Sequence, residues 1–372
     1  MKDYLFILGR DQELSLLELE SYFLARNIEY KVKKQNEEFL HLQLPNLKFK
    51  QIIKDLGGIS KILRLVNKLD EESLYTGKKH RINYAVSRYD ETDVIETHKY
   101  LKQRFKQEKL KAMLKKSHRK EPYLMPSEII KNDILTQGFE LAMFDKKTWL
   151  TIACYNPKEY EKRDLKRPVQ RPLHTMSLRL AKILINLTAA KPGKTILDPF
   201  CGIGTLLQEA LLEGYNVIGV DKERDCIVAS QKNLNWLQKT YKIHNNATLI
   251  HSSAITLQDV KFVDAVATEP YLGPFLKKLP TQGKALQIVK EVIPLYDNIM
   301  KTLAQKTRGR IVFMVPRFRL YDGKRITVPF ERIFQRYGLR AVRSKFGIKL
   351  PIIYTGKKSK IEREIWVLET FK

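Results

Sequence analysis

Apolar and polar positions follow two different periods along this chain, and the changes of period mark its elements. YLFILG (Tyr4 to Gly9) is a continuous apolar run of strand length, whereas LSLLELESYFLARN (Leu14 to Asn27) carries apolar residues at helical spacing. EYKVKK and EEFLHLQL alternate as strands do, and a helical stretch over Phe49 to Leu56 stops at Gly57-Gly58. Two strand–helix–strand passes predict a ferredoxin-like unit over residues 1–75. A second module of the same general class is expected over 76–155. It opens with the strand INYAVSRY, continues through the helical VIETHKYLKQRFKQ, and closes with FELAMF and TWLTIACY around the turn DKK. Residues 156–172, NPKEYEKRDLKRPVQRP, hold three of the 15 prolines and many charges, and read as a linker.

Over residues 173–372 strands alternate with helices. A helix from Ser177 to Leu187 leads into the strand KTILDPF, then the helix LLQEALLEG and the strand YNVIGVD. DCIVASQKNLNWLQKT is helical, and NATLIHSSA, FVDAVATEP, GRIVFMVP and REIWVLETF supply further strands. Apolar strands alternating with helices predict a doubly wound, Rossmann-like α/β domain with a parallel sheet. Trp149, Trp236 and Trp366 fall within these patterns and read as core.

Charge narrows the class of partner. Lys and Arg number 68 against 41 acids, a formal net charge of +27. Such an excess points to a polyanion, because every neutralised phosphate releases condensed counterions. Within Lys106 to Lys120, Lys109, Lys111, Lys115, Lys116 and Arg119 form a candidate phosphate-binding surface, the plainer reading being a solvated face. Arg163, Arg167 and Arg171 of the linker are further candidates, as are Arg317 and Arg319 beyond VFMVP. No apolar run reaches the roughly 18 residues that span a bilayer, and MKDYLFILGRDQELS lacks a signal-peptide pattern. A cytoplasmic protein with no membrane partner is expected. Cys154, Cys201 and Cys226 form no CxxC pair and the seven histidines show no HxxxH spacing, so no metal site is indicated.

The chemistry concentrates at three strand ends. Asp198-Pro-Phe-Cys-Gly-Ile-Gly-Thr205 follows the first strand of the doubly wound domain, where Gly202 and Gly204 let backbone approach a ligand. This is not the GxGxxG of a dehydrogenase, and Asp198 suits a cationic amino-acid ligand better than a pyrophosphate. Sixteen residues after Thr205, the second strand ends in Asp221, a carboxylate able to accept both ribose hydroxyls of a nucleoside. Together these point to S-adenosylmethionine, although either acid alone could be a loop cap. The fourth strand ends in Thr268-Glu-Pro-Tyr-Leu-Gly273. A guanine amine is a poor nucleophile that must be held in line with the methyl group. Polar acceptors and an aromatic ring under an extruded base would do this.

DPFCGIGT, VIGVD and ATEPYLG resemble the class I amino-group RNA methyltransferases. YLFILGRDQELSLLELE, LGGISKI (Leu56 to Ile62) and RDLKRPVQRPLHTMSLRLAKILINL resemble more narrowly the THUMP-domain tRNA guanine-N2 methyltransferases, of the archaeal and eukaryal type acting on guanosine 10. The resemblance runs from residue 4 to about 320. It implies a class I methyltransferase domain, S-adenosylmethionine as methyl donor and tRNA as substrate, with residues 76–155 as a tRNA-gripping THUMP domain. It further implies that Asp198, Cys201, Gly202 and Gly204 line the methionine and ribose side of the donor. Asp221 would hold the ribose, and Thr175 and Met176 would cover the methionine end. Cys201 would be a lining residue and not a nucleophile. Some relatives require a small activating subunit, a partner left open here.

Two positions depart from the family. Relatives carry Asp-Pro-Pro-Tyr where this chain has Thr268-Glu269-Pro270-Tyr271. Aligned on Pro270-Tyr271, Thr268 takes the acid's slot and Glu269 supplies a replacement acceptor. Aligned on the acid, Glu269 fills the slot and one proline is missing. The first register keeps the stacking ring in place and is preferred. The second departure is His251-Ser-Ser-Ala254, where Ser253 stands in for an Asp that accepts the adenine amine. The reading is therefore a tRNA guanine-N2 methyltransferase. Its rivals are a tRNA-binding protein that retains the fold without turnover, and a methyltransferase of another guanine in tRNA or rRNA.

Overall fold

The computed structural model describes residues 1–66, 81–171, 176–356 and 359–371, which divide into two compact units. The first comprises residues 1–12 and 28–163, the second residues 13–27 and 164–372.

Strands β1 (Lys2–Leu8), β2 (Lys31–Gln35), β3 (Phe39–Leu44) and β4 (Ile59–Val66), with helix α2 (Phe49–Asp55), form one half of the first unit. The other half contains β5 (Arg81–Arg88), α3 (Ile95–Gln107), β6 (Lys111–Leu114), α4 (Pro126–Lys131), α5 (Ile134–Gln137), β7 (Gly138–Phe144) and β8 (Lys147–Cys154). All eight strands share one sheet in the order β2-β3-β1-β4-β8-β7-β5-β6. The first four have the order and antiparallel pairing of a ferredoxin-like unit, and β4 then pairs antiparallel with β8 across the join. The sheet buries Trp149, Phe39 and Phe144 on one cluster and Tyr84, Phe105 and Phe139 on another. Its interior also holds an ion pair. Glu140 accepts from Lys61 Nζ (2.9 and 3.0 Å), Ser87 Oγ (2.6 Å) and Thr151 Oγ1 (2.7 Å), so a carboxylate with no exposed surface is fully hydrogen-bonded.

Helix α1 (Gln12–Ala25) follows β1 in sequence, inside the stretch read as an N-terminal module, yet by its contacts it belongs to the second unit. Leu14 and Leu17 join the cluster of Leu180, Leu184 and Ile196. Glu18 accepts from Asn186 Nδ2 (2.9 Å), Ser21 from Arg310 (3.1 Å), and Glu20 from Ser344 Oγ (2.6 Å) and Lys345 N (2.8 Å). The charged segment read as a linker also contains a helix, α6 (Pro157–Lys166).

The second unit continues with α7 (Leu178–Leu187), β9 (Thr195–Asp198), α8 (Thr205–Leu212), β10 (Asn216–Asp221), α9 (Arg224–Tyr241), β11 (Ala247–His251), β12 (Ala265–Thr268) and α10 (Gln282–Lys306). It ends with β13 (Ile311–Arg319), β14 (Arg325–Thr327), α11 (Phe330–Gln335), β15 (Leu339–Ala341), β16 (Ile352–Tyr354) and β17 (Ile361–Thr370). Ser177 caps α7 by accepting from Leu180 N at 3.2 Å. The sheet order is β11-β10-β9-β12-β13-β17-β15, parallel through β13 and antiparallel at β17. One face packs on α10 and α11 and the other on α1, α7 and α8. The chain moves outward from β9 through β10 and β11, then returns to start β12 on the other side of β9. That reversal opens a crevice at the carboxyl ends of β9 and β12, where ligands bind in such sheets. Among the described residues no helix is long and apolar enough to cross a membrane.

Candidate active site

Asp198 ends β9, and Thr268 ends the neighbouring β12. Their registers run together through Val266 opposite Leu197, and the Thr268 hydroxyl donates to Asp198 Oδ1 at 2.6 Å. Phe200 N donates to the same oxygen at 3.1 Å. Burial pushes the Asp198 carboxyl up to about 7, against the pull of these two hydrogen bonds, and the nearby carboxylates Asp221 and Glu269 push in the same direction. A carboxyl held up in this way gives up its proton more readily when a cation lies beside it, so the site favours an ammonium or sulfonium ligand.

The loop after Asp198 is fixed from several sides. Cys201 N donates to Val220 O (3.0 Å), Ser230 Oγ donates to Gly202 O (2.8 Å), and Asn233 Nδ2 donates to Ile203 O (2.9 Å). Gly204 has φ +82°, and a Cβ on it would stand 2.9 Å from Ser230 Oγ, so the turn into α8 requires glycine. At Gly202 a Cβ would meet nothing within 4 Å, so the loop backbone faces open space. Asp221 spans the crevice wall: Oδ2 accepts from Gly202 N and Oδ1 from Glu223 N, both at 2.9 Å. Each oxygen retains a lone pair for a ribose hydroxyl. The acids, the open glycine loop and the tethered Asp221 fit a nucleoside that carries a cationic amino acid. Cys201 is buried, and burial together with Asp198 and Asp221 pushes its thiol up, away from the thiolate that nucleophilic chemistry needs.

After β12, Glu269 is half-buried and ion-paired through Oε1 with Arg363 Nε at 2.5 Å. Pro270 is buried, while the Tyr271 ring is 48% exposed and its carbonyl accepts from the buried Tyr296 hydroxyl at 2.8 Å. Tyr271 is thus a surface ring on an anchored backbone. Thr268, expected to hold the target amine, differs. It has no exposed surface and its hydroxyl proton is given to Asp198, so it links the two strand ends. Arg363 was not among the residues singled out from sequence. It lies 94 residues from Glu269, and only the antiparallel entry of β17 brings the two together.

The remaining expected residues are scattered. Ser253, beyond β11, is exposed and accepts from Ile255 N at 3.3 Å in a local turn. Met176 packs against the apolar cluster around α7, and Thr175 lies outside the described residues. Lys109, Lys111, Lys116 and Arg119 are exposed on or beside β6, the edge strand of the first unit, and Lys115 is half-buried. Arg163 and Arg167 correct the reading of them as phosphate contacts. They are 6% and 5% exposed, Arg163 over the Tyr160 ring, and Arg167 bonded to Thr205 Oγ1 (3.0 Å) and Asp164 (2.9 Å). Of the others, Arg171 contacts Cys226 Sγ (3.2 Å), Arg317 pairs with Glu362 (3.2 Å), and Arg319 is exposed.

Comparison with known proteins agrees with this geometry. A family model described as RMKL-like, methyltransferase domain, matches residues 166–321. A DNA methylase model matches residues 28–232, a stretch that includes the glycine loop and stops short of Thr268 to Tyr271. The crystal structure of TrmN from Thermus thermophilus superposes with a TM-score of 0.51 at 13% identity, over 99% of this chain and 100% of that one, and so shares the fold. A tRNA (guanine(10)-N2)-dimethyltransferase of Methanothermobacter thermautotrophicus is 32% identical over 48% of this chain and 50% of its own, so this chain spans about half of that relative. A probable tRNA (guanine(10)-N2)-dimethyltransferase of Methanothermococcus thermolithotrophicus is 37% identical, over 36% of this chain. Since that identity extends over 78% of the Methanothermococcus protein, the chain belongs to the tRNA (guanine(10)-N2)-dimethyltransferase family.

Proposed function

We propose that this protein transfers a methyl group from S-adenosylmethionine to the exocyclic N2 of a guanosine in tRNA, at position 10. The observation that carries this reading is the pairing of two features at adjacent strand ends. One is the acid-lined glycine loop after β9. The other is the Glu269-Pro270-Tyr271 cluster after β12, which offers an exposed ring beside a carboxylate. S-adenosylmethionine, when bound, supplies a methyl group made electrophilic by its sulfonium. Asp221 accepts the ribose hydroxyls, and Asp198 faces the cationic end. Tyr271 stacks the extruded guanine, and Glu269 and the Pro270 carbonyl accept from its amine, orienting the nitrogen lone pair. Glu269 would take up the amine proton as the N–C bond forms and the S–CH3 bond breaks, S-adenosylhomocysteine being the leaving group. The segment over 76–155 acts as a THUMP domain that grips tRNA phosphates through the exposed bases on the β6 edge, Lys109, Lys111, Lys116 and Arg119.

The test is incubation of the protein with methyl-tritiated S-adenosylmethionine and unmodified tRNA transcripts, with the labelled nucleoside mapped by mass spectrometry. Label on N2 of guanosine 10 supports the proposal, and label on another base overturns its substrate assignment. A second reading, tRNA binding without turnover, draws on Thr268 being buried and engaged with Asp198 where relatives carry an acid. Absence of label despite binding of both donor and tRNA favours that reading.

A further inference from the structure

We propose that Arg363 is a positioning residue for methyl transfer, tying down one oxygen of the Glu269 carboxylate so that the other is left to accept from the target amine. The inference rests on the reading of this site as a guanine-N2 methyltransferase. Its basis is the way the sheet ends. Thr268, the last residue of β12, stands opposite Phe313 of β13, and β13 runs on past it. Arg363 of β17 stands opposite Pro316, three residues further along β13. The guanidinium therefore reaches over the end of β12, where Glu269 has just left the sheet. Nε donates to Glu269 Oε1 at 2.5 Å, and Nη1 donates to Ser359 Oγ at 3.2 Å. Ser359 Oγ in turn donates to Ile361 O at 2.6 Å, so the arginine is itself held. Glu269 Oε2 has no partner among the described residues.

Both side chains are about one-fifth exposed, too enclosed for a pair of surface charges and open enough for one oxygen to meet a substrate. Thr268 cannot take over the role, because its hydroxyl proton is committed to Asp198. A glutamate has three rotatable bonds, and a free carboxylate here would sample orientations in which no acceptor points at the amine. Losing that orientation is expected to lower turnover roughly ten- to a hundredfold. Lysine preserves the charge and loses the fork that joins Glu269 to Ser359, so its effect should be intermediate.

The experiment measures kcat and KM for tRNA methylation by the full chain as wild type, R363A, R363K, E269Q and the R363A/E269Q pair, together with S-adenosylhomocysteine affinity and melting temperature. A crystal structure of R363A supplies a readout independent of turnover. We expect kcat of R363A to fall ten- to a hundredfold with KM for tRNA and S-adenosylhomocysteine affinity within about twofold of wild type. R363K should lie between, and the double variant should be no worse than E269Q, because Arg363 acts only through Glu269. In the R363A crystal the Glu269 carboxylate should have turned away from its wild-type orientation. An unchanged kcat in R363A, additive losses in the pair, or an unmoved Glu269 would each overturn the proposal. If R363A does not fold, R363K and E269Q carry the kinetic comparison and the R363K crystal the structural one. If the wild type leaves guanine N2 unmethylated, the functional reading fails, and the crystal alone decides whether Arg363 sets the orientation of Glu269.

Discussion

Replacing Asp198 by asparagine would separate the charge of this side chain from its hydrogen bonds. Both bonds, from Thr268 Oγ1 (2.6 Å) and Phe200 N (3.1 Å), end on Oδ1, and asparagine keeps that oxygen. Burial, reinforced by Asp221 and Glu269, raises the folded carboxyl from 3.8 to about 7. A folded pKa above the unfolded one means that the native state holds an extra proton between the two values. Native stability is therefore lost as pH rises from about 4 to about 7, and the loss is complete above that. A shift of roughly three units corresponds to about 4 kcal/mol. That net shift already includes the two hydrogen bonds, which pull the other way, and the neutral amide stands where the protonated carboxyl would. Ligand-free Asp198→Asn should thus be up to about 4 kcal/mol more stable than wild type at pH 8, and the gap should close as pH falls toward 4. In a unit of this size that is roughly 8–16 °C in melting temperature. Calorimetry of both proteins between pH 4.5 and 8 reads the difference directly. Donor affinity, measured by titration calorimetry at pH 8, should fall at least tenfold in the variant as the cationic end loses its partner. A variant less stable than wild type at pH 8, or a gap that does not change with pH, would refute the argument that burial holds this carboxyl up.

Four further outcomes follow from the same geometry. Gly204→Ala forces an L residue to φ +82° with its Cβ 2.9 Å from Ser230 Oγ; a loss of about 1–2 kcal/mol and weaker donor binding are expected, and normal values for both would count against the loop's role. Tyr271→Ala should lower kcat at least a hundredfold while melting temperature and tRNA affinity stay near wild type, since the ring is 48% exposed; retained turnover would remove Tyr271 from the mechanism. Reversing Lys111, Lys116 and Arg119 to Glu should weaken tRNA binding and flatten its dependence on salt by about one unit of slope per lost phosphate contact; an unchanged slope would make the β6 face merely solvated. Arg167→Ala should destabilise the fold by about 1–3 kcal/mol, because it removes a buried side chain and leaves the buried Thr205 hydroxyl without its donor, with no change in the salt slope; a change there would restore it as an RNA contact.

Much of the second unit could be read from sequence because its signals are local. Asp198, Gly202, Gly204 and Asp221 sit at strand ends that apolar runs announce, and the spacing of the strands carries the topology with it. What escaped that reading is set by partners distant in sequence. Helix α1 is an ordinary helix by its periodicity, and only the packing of Leu14 and Leu17 against Leu180 assigns it to the second unit. The charged stretch after Asn156 looked like linker, yet it forms α6, and Arg167 is buried by a bond to Thr205, 38 residues on. The role of Thr268 and the presence of Arg363 both depend on cross-strand neighbours, Asp198 and Glu269, that no local pattern names. Nor does any local pattern pair Lys61 with Glu140, 79 residues on, which neutralise each other in the middle of a sheet.

The pairing of β4 with β8 binds the inheritance of the two N-terminal segments together. Six residues from Lys61 to Val66 meet partners in β8, and the Lys61–Glu140 bond crosses the same seam. Expressing either half alone would strip a hydrogen-bonded edge bare and leave a buried charge without its counterion, conditions that favour aggregation over folding. A fragment cut between them, or a chimera that borrows one half from a relative, must therefore bring a matching edge and a matching charge. Within the first unit the eight strands therefore stand or fall together.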